Sequence, residues 1–416
     1  MRVLVLGRLF SGLKAGLAEG RWAPRGVPAF YKLVEGLHGA RDCAVLTLLA
    51  AKEDDPLFRR GTDLTLDKAG RIMVLRWERP TGGLVRRLDL LATEAAQLLR
   101  SVWQALRFGP DVIYATYAML FPAALLARCT RIPVVLRLMG LFPHHRAIGS
   151  ARFWLHRWAL RSPFRAVVCS EDGSDPGALL PRLLNPASEL VLRLNGCDAP
   201  AGDSVRETAA PPTVLFVGRL EPYKGCDHFV DAALACLASL RKPVRFVVVG
   251  DGPMRGALAD KVDRAGASEA IVFTGAIPHA EVTRHLMSCD IYVSVNLNGN
   301  LSNANLEALA AGTCLVIPTS DPSVPIDTAT DRLLPDDVVV RYDRRQPAEA
   351  LGRALIELIK QPDHIAVRRA AAHRCARRLL KSWSECIEDD IGLLRRAVAN
   401  GTGATKPLQI CAKGRP

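Results

Sequence analysis

The sequence predicts an α/β protein with two domains, each built on a mainly parallel sheet covered by helices. The chain has 416 residues, which is long enough for two separate hydrophobic cores. Short apolar runs alternate with helical stretches in both halves, a pattern typical of parallel sheets. A polar, proline-rich segment without periodicity, residues 199–212, separates the halves and predicts a linker.

The first half contains seven short runs of the kind found in buried strands. In chain order they are Val3–Leu6, Ala44–Leu48, Ile72–Leu75, Val112–Ala115, Val134–Arg137, Ala166–Cys169 and Leu190–Leu194. Helical patterns at Arg86–Phe108 and Ala151–Leu160 lie between some of these predicted strands. Together these elements predict an N-terminal domain over residues 1–198.

The second half repeats the alternation with six apolar runs. In chain order they are Thr213–Val217, Arg245–Val249, Ile271–Phe273, Ile291–Val295, Cys314–Ile317 and Val338–Arg341. They predict a second domain over residues 213–380, and helical patterns continue from Pro347 to Asn400. The tail, residues 401–416, is expected to be frayed.

The formal net charge of +13 is concentrated in the first half of the chain. Nine arginines and a single acid, Asp111, lie between Ser101 and Arg165, with Trp154 and Trp158 among them. This pattern favours attraction to an anionic surface, such as a cytoplasmic membrane leaflet or a lipid-phosphate acceptor. The alternative is an ordinary solvated basic face.

No apolar run reaches the ~18–20 residues that a membrane span needs, and the N-terminus does not resemble a cleavable signal. We therefore expect a cytoplasmic protein, either free or peripheral on the inner membrane face. The eleven cysteines form no Cys-x-x-Cys pair and no Cys/His cluster, so they are expected to be thiols rather than metal ligands. We expect no metal, no cofactor and no nucleic-acid partner.

Two cations follow the first predicted strand of the second half. Arg219 and Lys224 lie in a short loop that begins at Gly218, directly after Thr213–Val217. Because anionic ligands bind at the carboxyl ends of parallel strands, this loop predicts a phosphate site. Arginine can hold two phosphate oxygens, and lysine acts as a point charge. Taken singly, each could be an ordinary surface side chain.

Further candidates lie in later strand-to-helix turns. A carboxylate at Glu307, near the start of a short helix, could accept hydrogen bonds from both ribose hydroxyls, or could merely offset the helix dipole. Glycines at 250 and 252 would allow a nucleotide to approach the backbone. The full set of nucleotide-sugar candidates is Gly218, Gly250, Gly252, Asn298, Gly299, Asn300, Ser302 and Asn303. Ser302 or Asn303 is expected to cap the helix that carries Glu307.

Several short motifs occur in an order and spacing that one family shares. They are Asn195-Gly-Cys-Asp198, Phe216-Val-Gly-Arg-Leu-Glu-Pro-Tyr-Lys-Gly225, Val248-Val-Gly-Asp-Gly-Pro253, Phe273-Thr-Gly275 and Ser382-Trp383. On these motifs the chain resembles the retaining glycosyltransferases of family 4 over most of its length.

The resemblance implies the GT-B fold, in which two Rossmann-like, doubly wound parallel-sheet domains face each other across a cleft. It implies metal-independent transfer of a hexosyl group from a UDP- or GDP-linked donor to a glycan or lipid-linked acceptor, with retention of configuration. The expected setting is surface polysaccharide biosynthesis. Residues 381–400 would return to brace the first domain, and Arg8 and Gly140 would lie on the acceptor side.

The chain departs from the family pattern at one important position. Where the family carries the first of two glutamates eight positions apart, this chain has Gly299, and only Glu307 is kept. Two alternatives to transfer follow: a catalytically silent protein of the same fold that binds a partner, or an epimerase acting on UDP-sugars. An NAD-linked dehydrogenase is disfavoured, because no Gly-x-Gly-x-x-Gly follows Gly7.

Overall fold

The computed structural model describes residues 1–51, 62–75, 98–141, 151–198 and 211–399. These residues form two compact units. The first comprises the described residues up to Ser170, residues 176–193 and residues 383–399. The second comprises Glu171–Asp175 and Leu194–Ser382.

The first unit contains an eight-stranded sheet in the order β3-β4-β2-β1-β5-β6-β7-β8. Its strands are β1 (Arg2–Arg8), β2 (Ala44–Ala50), β3 (Thr62–Leu66), β4 (Gly70–Leu75), β5 (Val112–Thr116), β6 (Val134–Leu138), β7 (Ala166–Ser170) and β8 (Glu189–Arg193). Every neighbouring pair is parallel except β3 with β4. The sequence analysis missed β3, because this edge strand lacks the apolar run that marks a buried strand.

Helices cover both faces of this sheet. They are α1 (Ser11–Ala18), α2 (Pro28–Gly39), α3 (98–108), α4 (Leu120–Cys129), α5 (Ala151–Leu160), α6 (Pro176–Leu183) and the C-terminal α14 (Trp383–Ala399). Helices α1, α2 and α14 share one core with the sheet, and α3 to α6 share the core on the other face. A buried ion pair joins Arg193 of β8 to Asp390 of α14, and Arg193 Nη1 also donates to the carbonyl of Cys386 at 3.0 Å.

The second unit contains a six-stranded, all-parallel sheet in the order β11-β10-β9-β12-β13-β14. Its strands are β9 (Thr213–Val217), β10 (Arg245–Val249), β11 (Ile271–Gly275), β12 (Ile291–Val293), β13 (Cys314–Pro318) and β14 (Val339–Tyr342). Its helices are α7 (Cys226–Ser239), α8 (Arg255–Arg264), α9 (His279–Ser288), α10 (Asn303–Ala310), α11 (Thr328–Leu333), α12 (Pro347–Lys360) and α13 (Pro362–Leu379).

The division of the chain differs from the sequence-based domain bounds at three places, and one is residues 381–382, which were predicted to return to the first domain but are grouped with the second unit. The sequence placed residues 171–175 and 194–198 in the first domain, whereas the structure groups both with the second unit. The physical reason is their hydrogen bonding: the Asp172 carbonyl accepts from Leu301 N at 3.0 Å, and Cys197 N donates to the Lys381 carbonyl at 2.9 Å.

Several sequence-based expectations fall outside the described residues. They concern the helical pattern over 86–97, most of the linker (199–210) and the tail (401–416). Among the helices that the structure describes, none combines the length and the apolar character needed to cross a bilayer.

Candidate functional site

The loop after β9 holds the two predicted phosphate-binding cations. The side chains of Val214 and Leu215 in β9 are fully buried, and the chain leaves the sheet at Gly218. The Arg219 side chain is 72% exposed and forms an ion pair with Glu221. Lys224 closes a 3₁₀ turn just before α7. Both cations therefore lie at the carboxyl end of a central strand, where the sequence predicted them.

The two cations are electrostatically coupled. Burial lowers the pKa of the Lys224 ammonium, the Asp172 carboxylate opposes this shift, and the positive charge of Arg219 adds to it. The charged ammonium is thus held at a cost in free energy. An anionic phosphate beside Lys224 would offset that cost, because opposite charge favours the charged form.

The glycines after β9 and β10 serve the packing of one loop on another. A Cβ at Gly250 would overlap the Gly218 carbonyl oxygen, and a Cβ at Gly252 would lie 2.5 Å from the Leu220 carbonyl oxygen. Backbone hydrogen bonds join the same segments, from Gly218 N to the Val249 carbonyl at 3.0 Å. The close approach of protein backbone is therefore enough to require glycine at 250 and 252, and the approach of a nucleotide there stays a prediction.

The loop after β12, residues 296–302, turns one polar side chain, Asn300, into the protein interior. Asn300 is 0% exposed and its Nδ2 donates to Asp327 Oδ2 at 2.6 Å. Its Oδ1 accepts from Ser294 Oγ at 2.7 Å. The protein itself thus satisfies this buried amide, and a contact between Asn300 and the sugar stays a prediction. Asn298, by contrast, is exposed.

Gly299 lies where a second segment crosses this loop. Its φ is 136°, and a Cβ there would lie 2.6 Å from the Asp172 carbonyl oxygen. Opposite it, Gly173 has a φ of 92°, and a Cβ there would lie 2.5 Å from Asn300 N. Only glycine at both positions, 173 and 299, permits the two segments to cross this closely. The glycine at 299 is therefore explained by Glu171–Asp175 passing over the loop.

Helix α10 begins as the sequence predicted and carries Glu307. The Ser302 hydroxyl caps the helix by accepting from Asn305 N at 3.4 Å. Asn303 Oδ1 accepts from Asn195 Nδ2 at 2.7 Å, so this side chain braces the segment that contains Asn195. Glu307 Oε1 lies 3.1 Å from His279 Nε2. The contact is a hydrogen bond, and it is an ion pair when the imidazole is protonated.

The two acceptor-side candidates lie in the first unit. Arg8 is the exposed last residue of β1, and Gly140 follows β6 with a φ of 98°. Both are at the carboxyl end of the first sheet, with β5 between their strands. His144 and His145, which the sequence analysis considered for proton transfer, lie outside the described residues.

Sequence reasoning missed three residues beside these loops. His279 contacts Glu307, Asp172 acts on Lys224, and Arg344 Nη2 donates to the Leu297 carbonyl at 2.6 Å. For Asp172 a signal was available, because it follows β7 at the carboxyl end of a strand. The same signal was available for Arg344, which follows β14, whereas His279 lies within α9 and meets Glu307 only through the fold.

Family models match both halves of the chain. Residues 211–361 match the model described as glycosyl transferases group 1, and residues 26–176 match the glycosyl transferase 4-like domain. Among curated relatives, a 2-deoxystreptamine N-acetyl-D-glucosaminyltransferase of Streptomyces fradiae is 33% identical over 178 residues, 41% of either chain. A 2-deoxystreptamine glucosyltransferase of Streptomyces kanamyceticus is 36% identical over 102 residues, 24% of this chain and 26% of that protein. The chain therefore spans less than half the length of these relatives.

Solved structures match nearly the whole chain. Sucrose-phosphate synthase of Thermosynechococcus elongatus superposes with a TM-score of 0.71 at 17% identity, covering 97% of this chain and 100% of that one. Anabaena HepE in complex with UDP gives a TM-score of 0.62 at 17% identity, covering 94% and 98%. These likenesses confirm the expected GT-B fold.

Proposed function

Since the chain belongs to the group 1 glycosyltransferases, we propose that it transfers a hexosyl group from a nucleoside diphosphate donor to a glycan or lipid-linked acceptor, with retention of configuration. The observation that carries the proposal is the coupled pair Arg219 and Lys224 at the carboxyl end of β9. A pair of cations in that position suits a diphosphate, whereas a neutral ligand would not require two positive charges.

The donor is UDP- or GDP-linked in this proposal. Structures of HepE hold UDP, UDP with glucose, and UDP-glucose. Arg219 and Lys224 would bind the diphosphate, and Glu307 would accept hydrogen bonds from the ribose hydroxyls. The first turn of α10, capped by Ser302, would direct backbone N–H groups at the phosphates.

The same cations supply the chemistry. As the bond between the sugar anomeric carbon and the phosphate oxygen breaks, the leaving diphosphate gains negative charge, and fixed cations stabilise that charge more in the transition state than in the ground state. The acceptor oxygen bonds to the anomeric carbon from the face that the diphosphate leaves. The acceptor proton passes to the departing phosphate oxygen. This route needs neither a metal ion nor a protein nucleophile.

The first unit suits an anionic membrane surface as the place of transfer, in surface polysaccharide biosynthesis. Helices α3 and α5 cover the same face of the sheet and expose large apolar side chains. Arginines stack on the exposed tryptophans, which combines positive charge with interfacial anchors. The pairs are Arg107 on Trp103 (5.3 Å), Arg128 on Trp158 (4.8 Å) and Arg157 on Trp154 (5.7 Å).

Binding of nucleotides tests the donor site directly. We expect isothermal titration to detect UDP or GDP on the wild-type chain, with the affinity lost in Arg219→Ala and Lys224→Ala. Lys242→Ala removes an exposed cation elsewhere on the same unit and serves as the matched control. If neither nucleotide binds, or if the control variant loses as much affinity, the proposal fails. Conversion of a UDP-sugar to a new sugar without any acceptor would favour the epimerase instead.

Sedimentation with vesicles tests the membrane surface. We expect vesicles rich in anionic phospholipid to carry the protein down at low salt and to release it at high salt, because exposed charges are screened. Trp103→Ser together with Trp158→Ser should reduce binding. Equal recovery with neutral phosphatidylcholine vesicles would contradict the membrane role while leaving the donor site untouched.

A further inference from the structure

The segment Glu171–Asp175 supplies acidic groups to a loop that has none of its own. It crosses the loop 296–302 backbone to backbone at Gly173 and Gly299. Leu301 N donates to the Asp172 carbonyl at 3.0 Å, and the Gly173 carbonyl accepts from Asp327 N at 2.7 Å. The crossing therefore fixes the position of the acids relative to that loop.

The far end of the segment is fixed as strongly. The Asp175 carboxylate accepts from Thr328 N at 2.9 Å, from Thr328 Oγ1 at 2.7 Å and from Ala329 N at 2.8 Å. It thus holds the start of α11. A segment held at both ends presents its side chains in one arrangement, which a binding group requires.

The Asp172 carboxylate is held in place by its own segment. Its Oδ1 accepts from Ser174 N at 3.0 Å and from the Ser174 hydroxyl. Its charge also acts on the Lys224 ammonium. The loop of Lys224 contacts the chain after β12 as well, because a Cβ at Gly225 would lie 2.8 Å from the Val295 carbonyl oxygen. Asp172, Lys224 and Gly299 therefore belong to one region.

The neighbouring carboxyl differs from Asp172 in its charge. Burial, followed by the charges of Asp175 and Asp172, raises the pKa of Glu171 to about 8. Glu171 Oε1 is buried and has no hydrogen-bond partner among the described residues. At neutral pH Glu171 is thus mainly protonated, whereas the Asp172 carboxylate acts as a negative charge on both Glu171 and Lys224.

A nucleoside diphosphate sugar carries its sugar on the outer phosphate, so the sugar hydroxyls lie close to whatever binds that phosphate. We propose that the Asp172 carboxylate accepts hydrogen bonds from hydroxyl groups of the transferred sugar and helps to select it, an assignment that rests on the proposed function. An ionised carboxylate is a strong acceptor for hydroxyl donors. Asp172 is thus a specificity-determining residue, provided from a segment far in sequence from the loop it serves.

The test compares a sugar nucleotide with its parent nucleotide. Isothermal titration would measure UDP against UDP-glucose and UDP-N-acetylglucosamine, and GDP against GDP-mannose, on the wild type and on Asp172→Asn. The asparagine keeps an oxygen that can accept from Ser174, so the turn should fold. Asp337→Asn is the matched control, because it removes an exposed acid just before β14. A second variant, Asp172→Ala, removes the acceptor altogether.

We expect Asp172→Asn to weaken the affinity for the sugar nucleotide roughly five- to tenfold, and Asp172→Ala to weaken it roughly ten- to hundredfold. The affinity for the parent nucleotide should change less than about twofold in either variant. Equal losses for both ligands would overturn the inference, since Asp172 would then act only through Lys224 on the phosphate. No loss for either ligand would also overturn it. If the wild type binds neither nucleotide, the proposed function itself fails, and this inference with it.

Discussion

The loops after β9 and β12 leave the same sheet at neighbouring strands and are built in opposite ways. The β9 loop directs Arg219 into solvent and holds the charged Lys224 despite partial burial. The β12 loop turns Asn300 inward, where Asp327 and Ser294 satisfy it. The comparison shows that a polar loop at a strand end can be a structural element. What distinguishes the β9 loop is that it holds two cations close enough for their charges to act on each other.

Removing the inward amide of the β12 loop should have the largest effect on stability. Asn300→Leu keeps the approximate volume but deprives the buried Asp327 carboxylate of its Asn300 side-chain donor. We expect the free energy of unfolding to fall by about 3–5 kcal/mol, because the Asp327 carboxylate, the Ser294 hydroxyl and the Asn296 carbonyl each lose a hydrogen-bond partner. Denaturant titration measures this loss. Asn298→Leu, in the exposed part of the same loop, should change stability by less than about 0.5 kcal/mol. Similar losses in both variants would break the comparison.

The crossing segment should make stability fall as pH rises. The pKa of Glu171 is about 8 in the folded chain and about 4.3 in a model peptide, so between these values only the folded chain keeps this proton. Stability therefore declines as pH increases through that window. We expect Glu171→Gln to remove roughly 2–4 kcal/mol of this decline between pH 5 and pH 8.5. Thermal melts across that range measure it, and an unchanged slope would contradict the buried, protonated carboxyl.

The β9 loop should trade binding against stability. Lys224→Met keeps the apolar stem and removes an ammonium whose pKa is lowered by burial. We expect the free energy of nucleotide binding to weaken by about 1.5–3 kcal/mol. The free energy of unfolding of the variant should be at least as large as that of the wild type. Titration calorimetry and thermal melts on one preparation measure both quantities. Lys242→Met should change neither. A loss of stability in Lys224→Met would make this lysine a structural residue like Asn300.

The sequence was sufficient for the parts of the fold that depend on continuous burial. Val3–Leu6 and Val214–Phe216 are apolar because parallel strands are covered on both faces, and this signal is local. β3 escaped prediction, because an edge strand needs no apolar run: Asp63 lies within it and pairs with Arg71 of β4.

The candidate site was predictable only where one segment carries the whole signal. Arg219 and Lys224 share a loop with the strand that positions them, so they could be proposed from sequence. The glycine at 299 was predicted as a ligand contact, and no local pattern indicated that the backbone of Asp172 and Gly173, more than a hundred positions away, also requires it. Asp172 could not be linked to Lys224 for the same reason. Side chains that meet only through tertiary contacts leave no local pattern.

The smallest expected effect concerns His279, which connects the exposed start of α9 to Glu307. Its side chain is 73% exposed and its Nε2 lies 3.1 Å from Glu307 Oε1, so the pair contributes no more than about 1 kcal/mol. We expect His279→Ala to weaken nucleotide binding about two- to fivefold, because Glu307 loses a group that orients it. His364→Ala, an exposed histidine on α13, should have no effect. In a double-mutant cycle, adding His279→Ala to Glu307→Gln should cost less than it does in the wild type, since the orienting contact is already altered. Full additivity would mean that His279 affects nucleotide binding independently of Glu307, which would contradict the orienting contact.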